Sequence, residues 1–325
     1  MAEPIAHPPR PHAAAKATKE AVRTRYPRPK LSELGLSPGK RARLKRLLYD
    51  HGPGGGTMLV LPIDQGLEHG PIDFLVNPDA QDPDYQFRLA RDGRFSAIAL
   101  HIGLARKHFH EYAGDVPLIL KLNGKTGIPS DAQAFSPLTG TVEDAVRLGA
   151  DAVGYTVYVG SPAQDRDLAQ FSQVRAEADR FGMPLIVWAY PRGEAVAKKG
   201  GRESLYAIDY AARVALELGA DVVKVNYPVR SEKDAESPPP YNTLSLDAEE
   251  AFRKVVMSAG RALVLVSGGE KVGDQDLLRK VRTSLDAGAT GIIFGRNLWQ
   301  RPWTEALSLT RELHAIFREY AQPVA

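Results

Sequence analysis

Short apolar segments alternate along the chain with longer segments of helical periodicity, from about residue 57 to residue 295. Each apolar segment is continuous rather than alternating with polar residues, as is typical of parallel strands that are covered on both faces. There are eight such segments: TMLVLPID (57–64), SAIALH (96–101), PLILKLN (117–123), AVGYTVY (152–158), PLIVWAY (184–190), DVVKVNY (221–227), ALVLVSG (262–268) and GIIFG (291–295). The pattern predicts eight parallel strands.

Most segments between these strands place apolar residues on one face of a helix, clearly so at 203–220, 246–260 and 274–289. Asp at or near the starts of the last two is a candidate N-cap. A similar phrase recurs where helix passes into strand: LGADAVG (148–154), LGADVVK (218–224) and AGATGII (287–293). Gly is predicted to end each of these helices in a left-handed turn.

Eight alternating strands and helices favour a closed (β/α)₈ or TIM barrel over an open, doubly wound sheet. The open sheet would need a Gly-rich phosphate loop after its first strand, but the first strand ends in Asp64-Gln65-Gly66. We predict a single barrel domain over residues 47–325. Residues 1–46 form an N-terminal segment, with a basic, Pro-rich flexible arm over 1–30 and a short basic helix around 38–49.

Composition narrows the possible functions. The net charge is only +3 and part of the basic excess lies in the first 50 residues, which argues against a nucleic-acid partner. The chain has no Cys, which excludes disulfides, thiolate metal ligands and a Cys nucleophile. There is no apolar run near the roughly 20 residues of a membrane span, and the N-terminus lacks the apolar core of a secretion signal. We therefore expect a cytoplasmic protein without a membrane partner.

Polar residues cluster where the predicted strands end, which is where barrel enzymes carry their chemistry. They are Asp64 and His69 after strand 1, His101 after strand 2, Lys121 and Asn123 on strand 3, Tyr155 and Tyr158 on strand 4, Trp188 and Tyr190 on strand 5, Lys224 and Asn226 on strand 6, Ser267-Gly268-Gly269 after strand 7, and Gly295-Arg296-Asn297 after strand 8.

Lys224 is the sharpest of these candidates because it interrupts an apolar strand, where an unpaired ammonium is costly. Desolvation lowers a lysine pKa and supplies the neutral amine that attacks a ketone. The alternative is a structural salt bridge to a carboxylate such as Asp64. Lys121 is placed similarly, and can either depress the pKa of Lys224 and bind substrate oxygens or form an ordinary buried ion pair.

The segments Ser267-Gly268-Gly269 and Gly295-Arg296-Asn297 predict a phosphate site, since barrels often bind phosphate at the loops after strands 7 and 8. The simpler explanation is that Gly is common at such turns. Trp188 and Tyr190 share one strand face, so Tyr190 can move protons near a lysine, although aromatic core packing explains the pair equally simply. Asp64 is a candidate for binding a hydroxyl or accepting a proton, with an N-cap or a salt bridge as its structural alternative.

Metal and cofactor chemistry have little support in the sequence. The eight His residues include no HxxxH or HExxH pair at a strand end. We expect neither a metal nor an organic cofactor.

Six motifs in order resemble the archaeal-type class I fructose-bisphosphate aldolases, which also occur in bacteria. They are LPIDQGLEHGP (61–71), VGYTVYVGS (153–161), VWAYPRG (187–193), ADVVKVNYP (220–228), VSGGEK (266–271) and GIIFGRNLWQ (291–300), and the resemblance covers about residues 57–300. It implies a metal-independent aldehyde-lyase of carbohydrate metabolism that cleaves fructose-1,6-bisphosphate reversibly to dihydroxyacetone phosphate and glyceraldehyde 3-phosphate.

The resemblance also implies a role for each matching residue. Lys224 forms the imine with the C2 carbonyl, Tyr190 transfers protons, and Trp188 packs beside the substrate. Asp64 contacts the hydroxyl that loses its proton on C3–C4 cleavage, while the SGG (267–269) and GRN (295–297) segments bind a phosphate. A large homo-oligomer built on rings, such as a decamer, is implied as well.

Three alternatives to this function stay open at the level of sequence. A related Schiff-base or transaldolase-like enzyme would act on another phosphorylated keto compound. A phosphosugar isomerase would use Lys121 or Asp64 as acid–base groups, and a catalytically inactive barrel would serve as a scaffold. The charged loop 228–243 is either solvated or supplies Arg230 or Lys233 to a second phosphate.

Overall fold

The computed structural model describes residues 25–268 and 273–324. Eight parallel strands form a closed barrel in sequence order, with β8 pairing back onto β1. The predicted (β/α)₈ barrel is therefore confirmed. The strands are β1 (Met58–Pro62), β2 (Ala97–His101), β3 (Leu118–Lys121), β4 (Ala152–Val159), β5 (Leu185–Pro191), β6 (Val222–Val225), β7 (Leu263–Ser267) and β8 (Gly291–Ile293).

Helices surround the barrel and connect its strands. They are α1 (Pro38–Lys45), α2 (Gln65–His69), α3 (Pro83–Asp92), α4 (Ile102–His108), α5 (Val142–Arg147), α6 (Gln164–Arg180), α7 (Glu194–Ala197), α8 (Leu205–Leu218), α9 (Ala248–Ser258), α10 (Asp274–Asp286), α11 (Arg296–Trp299) and α12 (Trp303–Arg318). A π-helical turn, Arg46–Asp50, continues α1. Short 3₁₀ turns lie in the loops, including Gly70–Val76 and Asp131–Gln133.

The helix ends follow local chemistry. Gly219 closes α8 in the left-handed region at φ 97°, as the sequence predicted, because Gly alone adopts this conformation without strain. Asp247 caps α9, its side chain accepting a hydrogen bond from the Glu250 amide at 2.8 Å. The predicted cap at Asp274 is wrong, since Gly273 holds the N-cap position and Asp274 is the first residue of α10.

Strand residues alternate between two apolar layers. One set, including Val60, Ile119 and Leu265, packs inside the barrel, and the other packs between the strands and the outer helices. Leu44 and Leu47, on α1 and its π-helical continuation, are fully buried in the inner cluster. Residues 38–50 therefore close the barrel at the ends where its strands begin, and the opposite end holds the polar residues.

Within residues 25–268 and 273–324, no helix is both long enough and apolar enough to span a bilayer. Residues 1–24 of the predicted arm (1–30) lie outside the described residues, and so does Gly269 of the SGG segment.

Candidate active site

The centre of the site is a buried pair on neighbouring strands. Parallel pairing of β5 with β6 sets Trp188 level with Lys224, and Tyr190 follows two residues later on the same face. Lys224 is only 5% exposed, and its Nζ donates a hydrogen bond to the hydroxyl of Tyr190. The amine and the phenol that the sequence singled out are therefore in direct contact.

Trp188 lies between two lysines. The Nζ of Lys224 is 5.2 Å from the indole ring and the Nζ of Lys121 is 4.9 Å from it, both within reach of a cation–π attraction. Gly154 on β4 provides the space, because a β-carbon there would lie 2.7 Å from the Trp188 ring and 2.9 Å from Lys121 Cδ. This glycine thus lets three large side chains share the barrel mouth.

Lys121 is the second amine of the site. It is 3% exposed and donates to the Thr156 hydroxyl at 2.6 Å and to the Asn123 carbonyl at 3.2 Å. Its Nζ also lies 3.9 Å from a carboxylate oxygen of Asp64. Asp64 therefore pairs with Lys121, and the salt bridge between Asp64 and Lys224 that the sequence left open is not formed.

Burial sets the electrostatics of these groups. It lowers the pKa of Lys224 to about 8, against the opposing effect of the Asp64 and Glu68 carboxylates. Burial likewise lowers the pKa of Lys121 to about 8, opposed by Asp64 and reinforced by Lys224. The pKa of Tyr190 is raised above its usual range, first by burial and then by Asp64. The site thus combines an amine that readily loses its proton with a phenol that keeps its own.

A cavity of about 550 Å³ opens above this pair. Ser267, Gly268, Gly295 and Arg296 line the side formed by β7 and β8, as the sequence predicted for a phosphate site. The guanidinium of Arg296 lies 3.9 Å from the carboxylate of Asp73. Lys121 does not line the cavity itself and lies beneath it.

A second cationic group lines the cavity on the side of β3 and β5. Lys125 follows β3, Arg192 follows β5, and Arg202 lies in the segment that leads to α8. Asp131 bridges the first two cations, at 2.9 Å from Lys125 Nζ and 3.0 Å from Arg192 Nε. The cavity therefore has cations on two opposing walls.

Several predicted residues lie elsewhere. Tyr155 is wrong as a mouth residue, because it faces the helical layer and its hydroxyl donates to Asp167 at 2.7 Å. Asn123 joins β4 to the connection between β3 and α5, because its side chain hydrogen-bonds the backbone of Thr156 and of Ser136. The amide of Tyr158 donates to the Asp167 carboxylate at 3.0 Å. Period-two alternation already forbids Tyr155 and Tyr158 from facing the same side.

Of the loop cations considered for a second phosphate, Lys233 lines a smaller adjoining cavity with Arg192 and Arg202. Arg230 lines a different cavity beside α8 and α9.

Sequence reasoning missed Glu68, Thr156 and Arg192. The VWAYPRG motif contains Arg192, the LPIDQGLEHGP motif contains Glu68, and alternation along β4 points Thr156 inward, so each of the three carried a signal.

No group of three or more His, Asp or Glu side chains in the described part of the chain is placed to hold a metal ion. Burial, reinforced by Lys121, lowers the pKa of His101 to about 4, so its ring is neutral at physiological pH. His69 contacts the Asp73 carboxylate at 2.6 Å.

A buried amine held against a phenol at the catalytic end of a (β/α)₈ barrel is the arrangement that a Schiff-base aldolase, a lyase, requires. The family model described as DeoC/LacD family aldolase matches residues 58–301. The chain belongs to this family.

The proteins to which the chain is similar include two curated relatives and one solved structure. The class 1 fructose-bisphosphate aldolase of Thermoproteus tenax is 42% identical over 259 residues, covering 79% of this chain and 88% of that protein. The 2-amino-3,7-dideoxy-D-threo-hept-6-ulosonate synthase of Halobacterium salinarum is 33% identical over 287 residues, covering 88% and 94%. An archaeal fructose-1,6-bisphosphate aldolase, solved with its catalytic lysine bound to the carbinolamine intermediate, is 38% identical with a TM-score of 0.72, covering 85% of this chain and 98% of that one.

Proposed function

We propose that the protein is a metal-independent, class I fructose-1,6-bisphosphate aldolase whose nucleophile is Lys224. The observation that carries this proposal is the buried amine in contact with the Tyr190 hydroxyl, with its pKa lowered to about 8. At pH 7.5 about a quarter of such an amine is neutral, against about one part in a thousand for an ordinary lysine. The nucleophile is thus available without a separate base.

The reaction follows from this pair. The neutral Lys224 amine adds to the C2 carbonyl, and the resulting carbinolamine loses water to give a protonated imine. As the C4 hydroxyl gives up its proton, the C3–C4 bond breaks and its electron pair passes into the imine. Glyceraldehyde 3-phosphate leaves, and the enamine that remains is protonated at C3. Addition of water to the imine then releases dihydroxyacetone phosphate and restores the amine.

Tyr190 and Asp64 are proposed to handle the protons. The raised pKa of Tyr190 keeps its hydroxyl protonated, so it can donate to the departing carbinolamine oxygen and take the proton back later. Asp64 lines the cavity beside Lys121, where it can accept the hydroxyl proton during cleavage. Trp188 is proposed to pack against the bound sugar.

The two cationic walls support a substrate with two phosphates. Ser267 is the last residue of β7, Gly268 follows it, and Arg296 follows β8; Gly269 and Gly295 belong to the same predicted phosphate site. Lys125 and Arg192 follow β3 and β5, which lie across the barrel from β7 and β1 in strand order. An extended sugar bisphosphate with its C2 carbonyl at Lys224 would direct one phosphate to each wall.

Synthesis of an amino-dideoxy-heptulosonate is a second candidate, because the Halobacterium salinarum synthase is 33% identical over most of both chains. The second cationic wall and the higher identity to the Thermoproteus tenax aldolase favour the sugar bisphosphate. An isomerase would use the same cavity without a covalent intermediate.

Borohydride trapping tests the proposal. The full chain is incubated with dihydroxyacetone phosphate, reduced with sodium borohydride and mapped by peptide mass spectrometry, alongside a direct assay of fructose-1,6-bisphosphate cleavage. The expected result is one adduct, on Lys224, together with cleavage that survives EDTA. An adduct elsewhere, or none under conditions that label a known class I aldolase, would show that Lys224 is not the nucleophile.

Two variants separate the proposed roles. Lys224→Met is expected to lose both the adduct and cleavage while keeping its circular dichroism spectrum. Tyr190→Phe is expected to form the adduct more slowly and to turn over about 10²- to 10⁴-fold more slowly, because it keeps the nucleophile but removes the group proposed to protonate the departing carbinolamine oxygen. Unchanged rates of labelling and of cleavage in Tyr190→Phe would assign the proton transfers to another group.

We also propose that residues 47–325 are the catalytic barrel domain and that 1–46 form an N-terminal segment, of which Leu31 and Leu44 pack into the base of the barrel. The proposed setting is cytoplasmic sugar metabolism, where charged bisphosphates are made and retained. The active form is proposed to be a homo-oligomer, to which the exposed apolar side chains of Tyr210 and Met257 could contribute contacts. Sedimentation velocity on the full chain measures that state.

A further inference from the structure

The carboxylate of Asp131 occupies an unusual place, between two cations of the cavity wall. It lies on the 3₁₀ turn Asp131–Gln133, within the long connection from β3 to α5. One of its oxygens is 2.9 Å from Lys125 Nζ and the other is 3.0 Å from Arg192 Nε. A carboxylate of the chain itself therefore already binds the two cations of the cavity wall on the side of β3 and β5.

The two cations are built into the cavity, whereas the carboxylate is not. The side chains of Lys125 and Arg192 are 14% and 12% exposed, and that of Asp131 is 40% exposed. Partial burial acts to raise the pKa of Asp131, but Lys125 and Arg192 outweigh it and hold the pKa below its ordinary value. Asp131 is thus ionised at neutral pH, as a competitor for cations must be.

The connection that carries Asp131 is fixed on both sides of it. The Gly127 amide donates to the Glu68 carbonyl at 2.6 Å, and the Ala134 carbonyl accepts from the Ser161 hydroxyl at 2.6 Å. The stretch between these anchors is six residues long and includes Ile128, which is 92% exposed. Both anchors lie outside the strands, and neither of these hydrogen bonds involves the Lys224–Tyr190 pair.

We propose that Asp131 is a specificity-determining residue that holds the place of the second substrate phosphate until the substrate displaces it. This inference rests on the proposed function and adds a residue and a mechanism of selection to it. A phosphate dianion carries more charge and more acceptor oxygens than a carboxylate, so it wins the contacts with Lys125 and Arg192. A hydroxyl at the same position carries no charge and leaves the carboxylate where it is.

Kinetics of Asp131→Asn on two substrates test the inference. In the variant, the KM for fructose-1,6-bisphosphate is expected to fall by about fivefold because the competing charge is gone. The KM for fructose 1-phosphate, and kcat on either substrate, should change by less than about twofold. Asp165→Asn, the same change at an exposed position on α6, is the matched control and should change neither KM. An equal change in KM for both substrates, or none for either, overturns the inference.

Lys125→Met provides the complementary measurement. It is expected to raise the KM for fructose-1,6-bisphosphate by about tenfold, because the second phosphate loses one of its two cationic partners. The KM for fructose 1-phosphate should change little. Equal effects on both substrates would place Lys125 outside the second phosphate site and overturn the inference. Failure of the proposed function looks different, since the wild-type chain would then leave fructose-1,6-bisphosphate intact or form no adduct at Lys224.

Discussion

At the scale of single residues, the chemistry depends on the balance between burial and charge around one amine. Burial disfavours the ammonium form of Lys224, and Arg296 and Arg192 act in the same direction. Asp64 and Glu68 oppose them, so the pKa falls only to about 8. The group therefore titrates within the range in which enzyme assays are made.

The rate should report this titration. Because the neutral Lys224 amine is the proposed nucleophile, kcat/KM for fructose-1,6-bisphosphate is expected to rise with pH and level off above an apparent pKa near 8. Initial rates from pH 5.5 to 9.5 at constant ionic strength measure it. His101, with a pKa near 4, cannot produce this rise. A flat profile, or a midpoint below pH 6.5, would contradict the assignment.

Lys121 is the control for that measurement, because burial also brings its pKa to about 8. In Lys121→Met the activity should fall, but the rise with pH should persist, displaced to higher pH by loss of a neighbouring cation. Disappearance of the rise in this variant would assign the titration to Lys121.

The residues of the reacting pair could be predicted because each broke a local rule. Lys224 stands in an otherwise apolar strand, Trp188 lies level with it on β5, and Tyr190 follows Trp188 on the same face of that strand. The residues that could not be predicted are positioned by long-range packing. Lys125 and Asp131 reach the cavity from the irregular connection after β3, whose path no periodicity specifies.

At the scale of elements, all eight strands lie where continuous apolar runs predicted them, although several are shorter than the runs. Burial on both faces leaves a parallel strand little choice of residue, so its signal is strong. The signal fails for polar details at strand ends. Tyr155 was assigned to the mouth because it is polar, whereas its hydroxyl finds its partner at Asp167 in the helical layer.

Helix α1 offers the clearest test of how elements are held together. Lys40 lies 2.7 Å from Asp179 and 2.9 Å from Asp221, and the Asp221 carboxylate also accepts from the Leu185 amide at 2.8 Å. Lys40→Met would leave Asp221, only 10% exposed, without its cation. The free energy of unfolding is expected to fall by about 3 kcal/mol, measured by urea denaturation.

The two carboxylates act as internal controls for that measurement. Asp179→Asn should cost less than about 1 kcal/mol because Asp179 is 57% exposed, and Lys40→Met combined with Asp221→Asn should recover part of the loss. If Lys40→Met cost no more than Asp179→Asn, the buried pair would not be what secures α1.

At the scale of the whole molecule, stability and chemistry occupy opposite ends of the barrel. The mouth contains two buried lysines and a cationic cavity, and burying these charges lowers the free energy of unfolding. At the base, the apolar side chains of Leu31, Leu44 and Leu47 pack into the inner cluster of the barrel. Changes at the base should therefore alter stability without altering catalysis.

Arg28 tests this separation. It is 7% exposed, and its guanidinium donates to the Tyr320 carbonyl at 2.5 Å, joining the N-terminal segment to the residues after α12. Arg28→Met is expected to lower the free energy of unfolding by about 2 kcal/mol, because a buried carbonyl loses its donor. In the same variant kcat and KM should stay within about twofold of wild type, since the site lies at the other end of the barrel. Lys30→Met, at an exposed position nearby, is the matched control and should leave both measurements unchanged. A kinetic change in Arg28→Met at temperatures where it remains fully folded would show that the base and the mouth are coupled.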